Sequence, residues 1–309
     1  MTTHTRETRS TPSTLTPTVI LCLVAVYIVW GSTYLAIDYT LDTMPPLLMT
    51  GTRFLAGGIV LAVFLLARAH RLPTRRQWLN CALVGGLMQG GCVGGIAIAE
   101  RTLSSGLASV GIATVPVWTV LMAGVATRRW PNRLEVYGIS LGLAGVVLLA
   151  LDGGLGGGAK GSVVIVAAAI SWSLGSVLSQ HLDLPRGPMA YAGEMLAGGT
   201  LVTLAGLLAG ERVEHVPDTA ALWAWAYLVV FGSLLAYSAY MYLLTAVRTS
   251  LATSYTLVTP AVAVLLGAWI LSERVTVLTV LAVAAVLLAV RFIFQGRKLH
   301  DAHDTGERA

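Results

Sequence analysis

Charged residues are scarce in this sequence. Asp, Glu, Lys and Arg make up only 11% of its 309 residues, whereas a soluble domain carries about 25%. The apolar set reaches 56%, and the mean hydropathy is +0.76. So few charges cannot cover the surface of a water-soluble globule. The composition therefore excludes an ordinary soluble protein and indicates an integral membrane protein.

The side chains most used for catalysis and metal binding are missing from the apolar stretches. All six histidines lie in polar connections or tails, and Cys22, Cys81 and Cys92 form no close pair. No phosphate-binding loop of the GxxxxGK[ST] type occurs. These absences argue against zinc sites, disulfide frameworks and ATP hydrolysis by that route. We therefore predict no enzyme activity, no catalytic residues, no metal and no cofactor.

The apolar residues fall into ten long runs, and each is close to the roughly 20 residues that a membrane-spanning helix needs. These runs are 18–37, 44–67, 78–99, 103–126, 134–151, 162–180, 187–209, 220–244, 249–271 and 275–294. Together they leave no room for a soluble domain of ordinary size. The predicted fold class is all-α, with ten transmembrane helices.

Lys and Arg are distributed unevenly between the two sets of connections. With a cytoplasmic N-terminus, fifteen of them lie on the cytoplasmic side and four on the other side, with Arg53 inside a span. Because positive residues stay in the cytoplasm, we expect both termini there, in a multi-pass membrane protein. The same asymmetry explains the net charge of +5, so we predict no nucleic-acid partner.

Two parts of the sequence repeat earlier ones. Phe54-Leu55-Ala56-Gly57-Gly58 returns 141 residues later as 195–199, and Pro116 matches Pro260 at an offset of 144. A duplicated unit of five spans is odd in number, so its second copy is threaded in the opposite sense, as in many secondary transporters. The sequence therefore predicts two inverted five-helix repeats around a central cavity.

The predicted organisation follows from this duplication. A cytoplasmic tail occupies 1–17, the first repeat 18–151, a Gly-rich connection 152–161, the second repeat 162–294 and a second cytoplasmic tail 295–309.

Polar and aromatic side chains within spans are the candidates for a binding site, because an exposed polar group in hydrocarbon is costly. Trp30, Thr33 and Tyr34 share one helix face by their spacing, and Trp172 and Ser176 share another. The full set of predicted substrate-binding residues is Trp30, Thr33, Tyr34, Gln89, Trp172, Ser176, Ser233, Tyr237, Tyr240, Tyr255 and Thr259. The alternative is that the aromatic rings fill the bundle or the interfacial belts, and that the hydroxyls bond their own helix backbone.

Two ionisable residues lie well inside spans, at matching positions of the two repeats. We hypothesise that Glu194 either neutralises Arg53 in an ion pair or takes up a proton during transport; a purely structural role is the alternative. Pro116 and Pro260 predict a bend in each half, because proline removes a backbone donor. Those bends serve either alternating access or static packing.

Several short motifs resemble one known family. They are Tyr27-Ile28-Val29-Trp30-Gly31-Ser32, residues 53–57, residues 231–237, Thr259-Pro260-Ala261 and Ser272-Glu273-Arg274. Their order is similar to the EamA-type branch of the drug/metabolite transporter superfamily, except that Ser272 stands where the family usually has Gly. The resemblance implies a ten-helix, exporter-like carrier in the cytoplasmic (inner) membrane of a bacterium, with a central cavity between its halves. Its relatives handle amino acids, other metabolites or drugs.

We therefore predict a secondary transporter that exports small metabolites, such as amino acids or related compounds, or drugs by alternating access. The alternatives are a non-transporting receptor or assembly subunit and an intramembrane enzyme; Arg53 and Glu194 alone do not supply the converging groups that an enzyme needs. The expected partners are a small-molecule substrate and the lipid bilayer. Proton coupling, and the choice between monomer and homodimer, stay open.

Overall fold

The computed structural model describes residues 16–127, 132–152, 159–246 and 255–306, and within these ranges every regular element is helical. The predicted tail 1–17 and connection 152–161 lie mostly outside the described residues. The all-α class predicted from the composition agrees with this architecture.

The helices of the N-terminal half begin with two long elements and continue through several shorter ones. They are α1 (Pro17–Leu41), α2 (Pro46–Ala67), α3 (Arg75–Gly85), the π-helix π1 (Gly86–Gly94), α4 (Gly95–Glu100), α5 (Ser105–Ile112), α6 (Val115–Thr127) and α7 (Arg133–Asp152).

The C-terminal half has a similar series of helices. They are α8 (Ala159–Ser179), α9 (Pro188–Leu208), α10 (Thr219–Tyr227), the π-helix π2 (Leu228–Leu235), α11 (Ala236–Ala246), α12 (Tyr255–Ile270) and α13 (Val277–Gly306).

Six of the described helical segments are long and apolar enough to cross a membrane. They are Pro17–Leu41, Pro46–Ala67, Arg75–Glu100, Ala159–Ser179, Pro188–Leu208 and Thr219–Tyr240. Shorter apolar helical stretches are Ser105–Thr119, which includes α5 and the start of α6, Val258–Ile270 and Val277–Ile293. The predicted span 134–151 falls within α7. The count of ten spans therefore stays a prediction.

Helices begin at corresponding places in the two halves because similar caps lie there. Oγ1 of Thr74 accepts from the backbone N–H of Gln77 at the start of α3, and a carboxylate oxygen of Asp218 accepts from Ala221 at the start of α10. Both caps satisfy a backbone donor that the first helical turn leaves open. The two capping positions are 144 residues apart, close to the offset between the repeated motifs.

Within the described residues, each half also contains a π-helical segment in a long helix. The segments π1 and π2 begin 142 residues apart, at Gly86 and Leu228. A π turn widens the helix and is often found at functional sites. In both segments a side chain from the opposite half donates to a backbone carbonyl: Ser171 to Leu87 over 2.8 Å and Trp30 to Gly232 over 3.3 Å.

The repeated motif FLAGG/MLAGG forms the contact between α2 and α9. A Cβ built on Gly51 would meet Thr203, one on Gly58 would meet Leu196, and one on Gly199 would meet the backbone at Leu55 and Gly51. Residues later in α2 therefore contact residues earlier in α9. The two equivalent helices run antiparallel, with their backbones brought close by small residues.

Another equivalent pair, α7 and α13, packs in the same way. Gly138 faces Ile293 and Ala289, while Gly145 lies seven residues further along α7 and faces Val286 and Ala282. Helices α7 and α13 are therefore antiparallel too. Between these two contacts, α1 packs on α12 and α8 packs on α6, so each half is interleaved with the other.

Candidate functional site

A cavity of about 100 Å³ lies between the two halves. Residues of both halves form its wall. They lie in α1, α2, π1, α4 and the α5–α6 region of the first half, and in α8, π2, α11 and α12 of the second. The lining residues are Trp30, Thr33, Tyr34, Ile37, Arg53, Phe54, Cys92, Val93, Ile96, Ile112, Ala113, Val115, Trp172, Gly232, Tyr237, Tyr255, Thr256 and Thr259.

An aromatic cluster forms one side of this cavity. The ring centroid of Trp30 lies 4.6 Å from that of Tyr255, 5.2 Å from Tyr240 and 5.5 Å from Tyr237. The Tyr255 and Tyr237 contacts are edge-to-face, which is a favourable geometry for aromatic pairs. The cluster joins α1 to α11 and α12 and presents the broad apolar surface that suits a flat or apolar part of a ligand.

The position of Trp30 is fixed by its hydrogen bond to π2. The indole N–H donates to the carbonyl oxygen of Gly232 over 3.3 Å. On the same helix, the hydroxyl of Thr33 donates to the carbonyl oxygen of Trp30 over 2.7 Å. The Thr33 hydroxyl is thus bonded to its own backbone, and what Thr33 adds to the cavity wall is largely its methyl group.

Arg53 brings a positive charge to the cavity wall, and its side chain is only 4% exposed. Its Nε donates to Oγ of Ser233 over 3.1 Å, and the guanidinium carbon lies 5.0 Å from the ring centroid of Phe54. A Cβ at Gly232 would come within 2.9 Å of a guanidinium nitrogen. The absence of a side chain at Gly232 therefore lets the guanidinium lie against the backbone of π2.

The predicted ion pair between Arg53 and Glu194 is not present within the part of the chain that the structure describes. The Arg53 guanidinium is held by Ser233, whereas Glu194 is buried on α9 near Cys81 and the hydroxyls of Tyr191 and Tyr237. Tyr237 interacts electrostatically with both ionisable residues. Inverted symmetry carries matching positions to different places in the bundle.

The two prolines have different local structures. Pro260 lies inside α12. At Pro116 the helix is interrupted, since α5 ends at Ile112 and α6 begins at Val115. Each proline lacks the N–H that would bond the carbonyl four residues earlier, and those residues, Ile112 and Thr256, both line the cavity. The predicted bend in each half is therefore a break in one half and an internal proline in the other.

Most of the predicted binding residues line this cavity. Those that do, together with Arg53, are Trp30, Thr33, Tyr34, Trp172, Tyr237, Tyr255 and Thr259. Tyr240 packs behind Trp30, and Ser233 holds Arg53.

Gln89 and Ser176 are not among the lining residues. With its amide nitrogen toward α9, Gln89 donates to the carbonyl oxygen of Glu194 over 3.1 Å and accepts from the N–H of Met195 over 3.2 Å. It joins π1 to α9. The face of α8 next to Ser176 is covered by π1, because a Cβ at Gly175 would meet Met88 at 2.6 Å.

Sequence reasoning missed several cavity residues. Thr256 lies three residues before Thr259, so helical spacing would have found it. Cys92 and Ile96 are apolar members of the wall that composition cannot distinguish from ordinary core residues. Gly232 contributes a carbonyl oxygen and free space, and neither has a signal in the sequence. Within the described ranges, no group of three His, Cys, Asp or Glu is arranged to hold a metal ion.

Comparison with known families identifies the fold that carries this cavity. The profile described as the EamA-like transporter family matches the chain twice, over residues 17–151 and 159–295. This chain belongs to the EamA-like transporter family. The resemblance noted from the motifs is thereby confirmed, and the protein is a membrane protein of a transporter family.

Individual relatives agree with this assignment. The protein named uncharacterized inner membrane transporter YedA, from Escherichia coli (strain K12), is 43% identical over 284 residues, which are 91% of this chain and 92% of the relative. An uncharacterized transporter of Synechocystis sp. is 28% identical and covers 90% of each chain. One crystal structure of a protein with 23% identity superposes with a TM-score of 0.64 over 91% of this chain and 98% of that chain, and it shows the fold alone.

Proposed function

We propose that this protein is a secondary transporter that exports small organic molecules bearing an anionic group, with the cavity around Trp30 and Arg53 as the binding chamber. The observation that carries the proposal is the place of the cavity between the halves, lined by both. Ten spans arranged as two inverted repeats, with both termini in the cytoplasm, complete the proposed topology. The domain boundaries follow the two repeats, 18–151 and 162–294.

The directions of the helices support the inverted arrangement. Equivalent helices run antiparallel where they meet, at α2 with α9 and at α7 with α13. A duplicated unit threaded in the same sense would bring equivalent helices through the membrane in parallel. Antiparallel equivalents are what an inverted repeat produces, and transporters of this design move one repeat against the other around a central site.

The charge of the cavity supports an anionic group on the substrate. Arg53 is buried, and no carboxylate among the described residues pairs with its guanidinium, so its remaining N–H groups are available to a ligand. Guanidinium groups bind carboxylate and phosphate oxygens in a bidentate manner. The aromatic rings of Trp30, Tyr237 and Tyr255 would cover an apolar or planar part of the same molecule. An amino acid or a related organic acid has both features.

The volume of the cavity supports a closed state. Its volume of about 100 Å³ is well below the roughly 300–1,000 Å³ that ligand pockets usually span. Binding of a metabolite therefore requires the halves to separate at one end. The helix break before Pro116 and the proline inside α12 adjoin the cavity, and both provide places for such a change.

The test is transport by the purified protein in liposomes. Vesicles are loaded with an unlabelled compound, and entry of the same compound in labelled form by exchange is measured. The panel consists of amino acids and organic acids, each paired with the amide that replaces its carboxylate. We expect exchange of at least one acid, weak competition by its amide, and no chemical change in the compound.

Two variants decide whether the cavity carries this transport. Arg53→Gln removes the proposed anion site, and we expect exchange to fall at least tenfold. Arg212→Gln removes an exposed arginine outside the cavity and is expected to keep exchange near the wild-type rate. Exchange that is absent for every compound, or that is equally strong in Arg53→Gln, would overturn the proposal.

A further inference from the structure

Glu100 is a buried acid that the substrate cavity does not explain. It is the last residue of α4, its side chain is 6% exposed, and neither carboxylate oxygen has a hydrogen-bond partner among the described residues. A buried carboxylate without partners is very costly when it is ionised. Its place at the C-terminal end of a helix adds to this cost, because the helix dipole there is negative.

The charged groups facing Glu100 make ionisation still less favourable. Within the described part of the chain, Asp38 of α1 and Glu273 of the α12–α13 connection are the charges that act on it, and both are acidic. Tyr34 of α1 also faces it. The nearby basic residues Arg101 and Lys160 are exposed. Among the described residues, no positive group thus acts on Glu100 to compensate a charge there.

Glu273 itself has partners and is not equivalent to Glu100. One of its oxygens accepts from the N–H and the hydroxyl of Ser105, over 2.7 and 2.8 Å, and the other accepts from the N–H of Gly106 over 3.2 Å. These bonds place the carboxyl group at the N-terminus of α5, where the helix dipole favours negative charge. Glu273 therefore has donors on both oxygens, whereas Glu100 has none among the described residues.

Three acids, Asp42, Asp38 and Glu100, are increasingly buried from the surface toward the cavity. Asp42 is exposed, Asp38 is half-buried, and Glu100 is buried beside Tyr34, which lines the cavity. Asp42 acts on Asp38, and Asp38 acts on Glu100. Tyr34, Asp38 and Asp42 follow one another at four-residue spacing, so they share one face of α1, and α1 packs against α4, which ends at Glu100. A row of oxygens therefore extends along this face from the exposed end of the bundle toward the substrate chamber.

We propose that Glu100 is a proton-binding site, protonated in this closed conformation, which exchanges its proton with water through Asp38 and Asp42 when their end of the bundle opens. The reaction is the reversible loss of H⁺ from the carboxylic acid to water, which leaves a carboxylate. The coupling of this step to substrate movement rests on the proposed transport function, whereas the protonation itself does not.

Infrared spectroscopy of the purified protein in liposomes tests the protonation without any substrate. The C=O stretch of a protonated carboxylic acid is compared at neutral pH between wild type, Glu100→Gln and the control Glu211→Gln. Glu211 is a suitable control because its two oxygens already accept from the backbone at Leu47 and Leu48. We expect a protonated-acid signal that Glu100→Gln loses and Glu211→Gln keeps. Identical spectra for wild type and Glu100→Gln would overturn the proposal.

A second variant keeps the proposal testable if Glu100→Gln does not fold. Asp38→Asn removes a neighbouring negative charge, so the Glu100 signal should disappear at a lower pH than in wild type. A signal that titrates at the same pH in Asp38→Asn and wild type would contradict the proposal.

A transport assay on the same variants distinguishes this proposal from the proposed transport function. With a transported compound identified, Glu100→Gln should still exchange it but should lose the pH dependence of net transport, and Glu194→Gln should keep that dependence. Loss of the dependence in Glu194→Gln alone would transfer the coupling role to Glu194 and refute this inference. A failure of all variants and wild type to transport would refute the proposed function and leave the infrared result standing.

Discussion

Arg53 donates from Nε to Oγ of Ser233 across 3.1 Å, and this bond joins α2 of the first half to π2 of the second. Both side chains are buried. The bond orients the guanidinium so that Arg53 lines the cavity, while its partner Ser233 does not. Ser233 is therefore a positioning residue for the proposed anion site.

Ser233→Ala is expected to destabilise the protein by about 1–3 kcal/mol, because it leaves a buried donor of a charged group without its acceptor. Thermal unfolding in detergent measures the change. Thr200→Ala is the matched control, since that hydroxyl is on an exposed residue and bonds only to Leu196 of its own helix over 2.7 Å among the described contacts. Equal unfolding temperatures for the two variants would argue against the positioning role.

Trp30→Phe is expected to keep the aromatic contacts and to lose the hydrogen bond to Gly232. The loss should cost about 0.5–1.5 kcal/mol of stability and weaken substrate binding, since the ring is then free to tilt. Apparent affinity in the exchange assay measures the second effect. Trp223→Phe, on a tryptophan that is 74% exposed, serves as the control and should change neither quantity. A wild-type affinity in Trp30→Phe would show that the bond does not orient the ring.

Gly51→Ala is expected to disturb the contact between α2 and α9. Its Cβ would lie 2.6 Å from the backbone nitrogen of Thr203, and backbone cannot move aside as a flexible side chain does. Overpacking of this kind costs about 1–3 kcal/mol. At Gly86 a Cβ would meet only Leu201, at 3.6 Å, so Gly86→Ala should unfold at or near the wild-type temperature. Similar unfolding of the two variants would contradict the close antiparallel packing.

The composition and the position of apolar runs were sufficient to predict the all-α class. Each predicted span overlaps a helix because about 20 apolar residues without charge have few stable alternatives in lipid. The π segments could not be predicted, since their wide turns depend on side chains from the opposite half, such as Ser171 and Trp30. The interruption before Pro116 was predicted only as a bend, because proline alone does not decide between a kink and a break.

The cavity was predicted well where helical spacing marks a face and less well elsewhere. Trp30, Thr33 and Tyr34 share one face of α1, and all three line the cavity. Gln89 is polar and lies in a span, but its amide is used by the backbone of α9. Glu100 escaped notice because the predicted third span ended at residue 99. Because the predicted boundary was one residue too early, Glu100 was assigned to a connection and not to a span.

The repeated motif was a stronger signal than its length suggested. Five residues per copy identified the contact at which α2 and α9 meet, because small residues are needed where two backbones approach. The internal repeat consists of two similar stretches of this chain, and in the structure they contact each other. A repeat of this kind marks an interface between halves.

Access to Thr33 from the two sides of the membrane tests the central claim most directly. A single cysteine is introduced as Thr33→Cys after Cys22, Cys81 and Cys92 have been replaced, and a hydrophilic thiol reagent is added to one side of sealed vesicles at a time. Val24→Cys, at a 44% exposed position of the same helix, is the control that should stay unlabelled. The account predicts labelling of Thr33→Cys from either side, slowed by the transported compound. Labelling from one side alone, or from neither, would contradict a chamber that opens alternately to the two sides.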